Sequence, residues 1–204
     1  MKPIVLASGN KGKLVEFQQM FETQGIKIVA QSEYGVGDVP ETGTTFVENA
    51  IIKARHAAEI SGEPAIADDS GIEVDALDGQ PGIYSARYGG PGAGAVDNYQ
   101  KLLANMQDKS NRAARFRCVL VYMRHAKDPS PIIASASWEG SIAQGPQGGG
   151  GHGYDPIFWV NTDNCSAAEL PPERKNALSH RGKALVDLLA QMKALGELPT
   201  GETS

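Results

Sequence analysis

Two adjacent carboxylates, Asp68 and Asp69, follow the short apolar run Pro64-Ala65-Ile66-Ala67 and precede Ser70-Gly71, after which Ile72-Glu73-Val74 alternates. Apolar run, Ser-Gly, alternating run is the pattern of strand, tight turn, strand. Like charges side by side repel unless a cation or a proton neutralises one of them, so the pair points to a hard divalent metal or an acid/base couple. The same residues would serve equally as turn carboxylates bonded to backbone N–H groups. Glu41 is the third acid expected near the pair, although alone it reads as a solvated loop residue.

Two further stretches carry chemical promise. Ser8-Gly9-Asn10-Lys11-Gly12-Lys13 lies between an apolar strand, Ile4 to Ala7, and a helical pattern with Leu14, Phe17 and Phe21 on one face. Strand, Gly/Lys loop and helix start favour phosphate through backbone N–H groups and the helix dipole. The spacing is not that of G-x-x-x-x-G-K-[ST], since Leu14 follows Lys13, and a solvated loop would look the same. The second stretch, Gln144 to Pro156, contains four consecutive glycines, Gly148 to Gly151, then His152-Gly153-Tyr154-Asp155. Such a run suits a backbone pressed against something with no room for side chains, or a flexible linker. Resumption of a buried strand at Pro156 to Val160, with no polar spacer, argues for the former.

The elements that must position these groups alternate between strand and helix. Ile26 to Ala30 reads as a second strand. Thr45 with Glu48 forms a capping box for a helix with Phe46, Ala50, Ile51, Ala54, Ala57 and Ala58 on its apolar face, ended by Gly62. The Gly/Pro-rich stretch 79–91, with two tyrosines and Arg87, reads as a functional loop. Val96 to Met106 reads as a short helix, and Ala114 to Met123 with Pro131 to Glu139 as an antiparallel hairpin. A final helix is expected to begin near Ala167–Pro172, packing Leu178, Leu185, Leu188, Leu189 and Met192, with Lys175, His180, Arg181 and Lys183 on its exposed start.

With 204 residues, 41% hydrophobic and 21% charged, the chain has the composition of one ordinary globular domain, or two small lobes sharing a cleft. No apolar run approaches the ~20 residues of a membrane span, and the N-terminus is too short in apolar residues for a secretory signal, so a cytoplasmic protein is expected. Cys118 lies in an apolar run and Cys165 is the only other cysteine, which favours free thiols over a disulfide framework. A net charge of -5 argues against a nucleic-acid polymer as partner while leaving room for a small anion on a local basic cluster. Residues 1–198 are expected to form the domain and 199–204 a disordered tail.

Taken together, Ser8 to Lys13, Glu41-Thr42-Gly43, Phe46 to Ala50, Ala67 to Gly71, Pro81 to Tyr88, Gly153 to Pro156 and Ser179-His180-Arg181 resemble, in order and over nearly the whole chain, the motifs of the inosine triphosphate pyrophosphatase family, in its bacterial branch. The resemblance implies an α/β fold with a long central mixed sheet, two lobes around a nucleotide-binding cleft, and a homodimer. It also implies Mg²⁺-dependent hydrolysis of deaminated purine nucleoside triphosphates (ITP, dITP, XTP) to the monophosphate and pyrophosphate. Carried residue by residue, it makes Glu41 and Asp69 the metal ligands, with Asp68 close by, and Asp69 the proton acceptor. Ser8, Gly9, Asn10, Lys11, Gly12, Lys13 and Lys175 would hold phosphates and Ser70 the ribose-phosphate. His152, Gly153, Tyr154 and Asp155 would shape the base and sugar site. His152 departs from the pattern, which commonly has phenylalanine there; an imidazole can stack but offers less apolar area and titrates near neutrality.

Base choice has a chemical rationale. Arg181 has no acceptor and His180 can present N–H, so together they suit the oxo groups of hypoxanthine and xanthine and leave an amino group facing a donor. The competing functions are a pyrophosphatase for modified pyrimidine triphosphates and a nucleotide-binding regulator without turnover. Retention of Glu41, Asp68 and Asp69 speaks against the regulator.

Overall fold

A computed structural model of the protein describes residues 2–198; the expected tail, 199–204, lies outside the described residues. In chain order the main elements are β1 (Ile4–Leu6), α1 (Lys11–Glu22), β2 (Ile28–Ala30), α2 (Phe46–Ser61), β3 (Ala65–Val74), α3 (Ala95–Asn105), β4 (Ala113–Met123), β5 (Ile132–Ile142), β6 (Phe158–Val160), β7 (Cys165–Ser166), α4 (Pro172–Leu178) and α5 (His180–Ala194). The strands form a seven-stranded sheet in the order β2-β1-β3-β4-β5-β6-β7. β1 pairs in parallel with β2 and β3, while β5-β6 and β6-β7 pair antiparallel, so the sheet is mixed as expected. The expected hairpin is present: the Ile142 N–H donates to the Arg112 carbonyl at 2.8 Å, setting the end of β5 beside the start of β4.

The described residues divide into two compact units, one of residues 2–69, 119–135 and 184–198 and one of 70–118 and 136–183. In the first, α2 lays Ala50, Ala54, Ala57 and Ala58 on Val5, Ala7, Ala65, Ala67 and Val121. Four alanines on one face keep the helix axis close to the sheet, which matters for the lysine on the same helix. Thr45 caps α2 by accepting from the Glu48 N–H at 3.2 Å, and Gly62 ends it at φ 70, the left-handed conformation that glycine adopts without strain. In the second unit Phe116, Trp138, Phe158, Tyr154, Ile72 and Leu102 share a core. Burying each of the larger of these side chains contributes about 1.5–3 kcal/mol.

Two expectations need correction. Asp68-Asp69-Ser70-Gly71 is not a turn: it lies inside β3, which runs unbroken for ten residues. Ser-Gly is a weak breaker when the residues on both sides are buried and paired, and here eight of the ten are buried. The final helix is in fact two, α4 and α5, divided at Ser179, whose extended backbone (φ -65, ψ 151) ends α4. The Ser179 hydroxyl accepts from the Gly182 N–H at 3.1 Å and so starts α5, a cap that the sequence offers as plainly as any other serine ahead of an apolar-periodic run.

Candidate active site

The strand that replaces the expected turn changes the meaning of the two aspartates. Neighbours in a strand point to opposite faces, so Asp68 and Asp69 do not stand side by side. Asp68 is ion-paired with Lys13 of α1, and Asp69 faces Lys53 of α2 at 3.6 Å. Lys53 Nζ also lies 2.7 Å from Glu41 Oε1 and donates to the Asp68 carbonyl at 2.7 Å. One ammonium therefore gathers Glu41, Asp69 and the backbone of Asp68, while the Asp68 side chain is turned away to Lys13. Glu41 reaches this place from a segment that is itself pinned: the buried Asn49 amide oxygen accepts from the Gly43 N–H at 2.8 Å.

The electrostatics follow from this placement. Burial raises the Asp69 carboxyl, and the charges of Glu41 and Asp68 add to the rise; Lys53 and Lys13 oppose it but do not cancel it, and the result is about 6 against an ordinary 3.8. Asp69 Oδ2 is buried with no hydrogen-bond donor. Burial lowers Lys53, but the charge of Asp69 and the hydrogen bond to Glu41 outweigh it and leave the ammonium above its usual range. Lys53 went unnoticed in the sequence. Its signal was present: a lysine flanked at helical spacing by Ala50, Ala54 and Ala57, positions whose small side chains face the sheet.

Among the described residues no group of three or more His, Cys, Asp or Glu side chains gathers as a metal site. The two carboxylates Glu41 and Asp69 nevertheless fit Mg²⁺, which takes hard oxygen ligands, needs only one or two carboxylates from the protein and keeps several waters. The donorless Asp69 Oδ2 is an oxygen of the required kind.

The Ser8 to Lys13 stretch is only partly a loop, because α1 begins at Lys11. Asn10 is its N-cap, its amide oxygen accepting from Gly12 N–H at 2.9 Å and Lys13 N–H at 3.1 Å, and the Ser8 hydroxyl accepts from Asn10 N–H at 3.1 Å. Two donors expected to be offered to phosphate are thus engaged by the cap.

In the second unit the glycine run is no linker. A side chain at Gly150 would meet the Ala168 carbonyl at 2.8 Å, one at Gly148 the Glu169 Cγ at 2.7 Å, and one at Gly151 the Asp155 carboxylate. Asp155 is 4% exposed; its Oδ2 accepts from the His152 N–H at 2.8 Å and from Lys175 Nζ at 2.5 Å. Tyr154 is also buried, and its hydroxyl donates to the Ser85 carbonyl at 2.6 Å. Both were expected to line the base and sugar site; their polar ends are instead spent on the protein, while His152 is exposed. His180 opens α5 half-buried with its ring stacked on Phe116 at 4.9 Å, and Arg181 follows it. Ser70, next along β3 from Asp69, is half-buried.

A family model described as the Ham1 family matches residues 4–191. The chain belongs to the Ham1 family. Among Ham1 relatives, the dITP/XTP pyrophosphatase of Shewanella oneidensis is 62% identical over 96% of this chain and 96% of its own length. That of Vibrio cholerae is 59% identical over 98% of this chain and all of its own. The solved structure of a HAM1 protein from Coxiella burnetii superposes with a TM-score of 0.92 at 49% identity, covering 95% of this chain and 100% of that one. A nucleoside-triphosphatase / dITP/XTP pyrophosphatase from Mycobacterium abscessus gives 0.77 at 39% identity, over 93% of this chain and 99% of its own. The Ham1 fold is thereby the α/β mixed sheet read from the motifs.

Proposed function

We propose that residues 1–198 act as one catalytic domain that hydrolyses deaminated purine nucleoside triphosphates, ITP, dITP and XTP, to the monophosphate and pyrophosphate with Mg²⁺. The reaction removes these nucleotides before they enter DNA or RNA, and the enzyme works in the cytoplasm as a homodimer. The observation that carries the reading is the Asp69 carboxylate, buried, facing one lysine and retaining an oxygen without a donor. The names of its relatives, matched over nearly their full length at 62% and 59% identity, support the substrate class.

On this reading the Asp69 carboxylate accepts the proton of the attacking water. Burial pushes the metal-free carboxyl up to about 6, so it is ionised at neutral pH, as a general base must be. Lys53 holds Asp69 and Glu41 in place. What Mg²⁺ supplies when held by Glu41 and Asp69 is charge neutralisation on the phosphates and a more acidic water. Lys13 and Lys175 exchange their aspartate partners for phosphate oxygens, joined by those backbone N–H groups of residues 8–13 that the Asn10 cap and the Ser8 hydroxyl do not engage, and Ser70 meets the ribose-phosphate. His180 and Arg181 donate to the oxo groups of the base. Tyr154 and Asp155 act by fixing the backbone around His152 and Gly153.

Release of pyrophosphate from ITP, dITP, XTP, GTP, ATP and a modified pyrimidine triphosphate, with Mg²⁺ or with EDTA, tests this. The expected result is Mg²⁺-dependent pyrophosphate release that favours the first three. Orthophosphate as product, a preference for the pyrimidine, or tight binding without turnover would each overturn it.

A further inference from the structure

We infer that Phe116 fixes the plane of the His180 imidazole and through it the choice of purine base; this rests on the reading of His180 as a base-contacting residue. His180 is the first residue of α5, and its backbone is held by the cap at Ser179, whose hydroxyl and carbonyl accept from Gly182 N–H at 3.1 Å and Lys183 N–H at 3.0 Å. A cap fixes the backbone but leaves the side-chain torsions to be set by contacts. Phe116 supplies one over the whole ring face: the imidazole and benzene centroids are 4.9 Å apart and the planes differ by 13°.

The benzene ring is a rigid platform. Phe116 is 7% exposed on β4, with Phe158 at 4.5 Å and 47° and Trp138 at 6.1 Å and 30°; Trp138 and Phe158 meet at 5.1 Å and 57°. Tilted contacts are ordinary among buried aromatic rings. The Phe116–His180 pair is the near-parallel one in this cluster. Gly140 locks the cluster from β5, since a side chain there would meet the Phe158 ring at 2.6 Å. The N–H bonds of an imidazole lie in its plane, so a ring laid flat on Phe116 can donate only in directions that Phe116 allows. A donor held in one plane discriminates an oxo group from an amino group; a donor free to rotate can turn away from the mismatch at little cost.

The test removes the flat face while keeping a bulky apolar side chain. Phe116→Leu is expected to lower the ratio of kcat/KM for ITP to that for GTP by roughly 3- to 10-fold, the scale of one aromatic pair, and to do so through KM for ITP. Phe116→Met is run in parallel, since a flexible thioether fills the site if Leu leaves a void. Phe116→Tyr, which retains the face, is expected to keep the parental ratio. In a His180→Ala background, Phe116→Leu is expected to change the ratio no further. The His180 Cε1–H resonance, shifted upfield by the benzene ring in the parent and in Phe116→Tyr, is expected to return to its ordinary position in the Leu and Met variants. A moved resonance with an unchanged ratio, or an additive effect on His180→Ala, overturns the inference. If His180→Ala alone leaves the ratio unchanged, the reading of His180 fails and the step from ring plane to base choice fails with it; the resonance still reports separately whether Phe116 holds the ring.

Discussion

The carboxylate end of β3 and the aromatic cluster around Phe116 belong to one sheet but handle polar groups in opposite ways. At the first, Glu41 and Asp69 share the Lys53 ammonium, Asp68 is paired with Lys13, and one buried oxygen of Asp69 has no donor. Around the second, Tyr154 is tied to Ser85 and Asp155 to both Lys175 and the His152 backbone. The difference is between a buried carboxylate left partly unbonded, which a proton or a metal cation would satisfy, and a place in which geometry is already fixed. Chemistry on phosphate calls for the first, and discrimination between bases for the second.

The largest effect is expected at the unbalanced end. Asp69→Asn should lower kcat by about 10²–10⁴-fold, the usual contribution of a general base, while leaving a folded protein. Without Mg²⁺ the same change should raise the melting temperature, with a pH signature. Because the folded carboxyl sits above its unfolded 3.8, at about 6, the native state binds the extra proton between these values. Its stability is full below 3.8 and falls as pH rises through 6, by about 3 kcal/mol once ionised. Asn removes that loss, so the gain should appear at pH 7.5 and vanish near pH 3.5. A variant no more stable than the parent at pH 7.5 would remove the charge imbalance from the comparison.

Next in size, Lys53→Met should cost roughly 10²-fold in kcat/KM and move the titration of Asp69 in the metal-free protein. In the metal-free parent the Asp69 side-chain carbon resonance should titrate at about 6. Lys53 is the main influence holding that value down. Without it the midpoint should move to higher pH, and a midpoint that stays put would mean a different group titrates.

The fixed region should respond sterically instead. Gly150→Ala forces a methyl onto the Ala168 carbonyl, whereas a methyl at Gly149 meets nothing within 4 Å. The first should lose about 1–3 kcal/mol in stability and raise KM several-fold for every nucleotide; the second should lie within ~0.5 kcal/mol of the parent. Equal behaviour of the two alanine variants in urea melts would show that the run is loose. The smallest effect should come from Tyr154→Phe, which removes one neutral hydrogen bond worth ~1 kcal/mol and should change KM for all substrates alike.

Much of this was legible in the residues. The cap at Thr45, the stop at Gly62 and the hairpin of β4 and β5 rest on local chemistry that tertiary structure did not override, although the Glu48 carboxylate accepts from the Thr44 N–H and the Thr45 hydroxyl where the expected box has the Thr45 N–H. What was illegible depended on parity and distance. Ser70-Gly71 looks like a turn until the burial of Ile72 and Val74 is known, and that burial comes from partners far along the chain, such as Leu102 and Trp138. Lys53 could be placed on a helix from its neighbours, but its approach to Glu41 and Asp69 requires knowing that four alanines draw α2 against the sheet. The engagement of Tyr154 and Asp155 with the protein itself could not be read from Gly-Tyr-Asp-Pro, since Ser85 and Lys175 are distant in sequence.

The unbroken run of β3 sets a rule for how this chain can change over generations. Alternate residues of a strand face alternate ways, so deleting one residue among Ala65, Ile66 and Ala67 would exchange the outlooks of the two acids, sending Asp68 toward Lys53 and Asp69 toward Lys13. Point substitutions among Ala65, Ile66 and Ala67 cost packing and leave the two outlooks as they are. Single-residue indels in β3 are therefore closed to descendants that keep the activity, and the spacing from Pro64 to Asp69 should be more invariant than the identities of the residues that fill it.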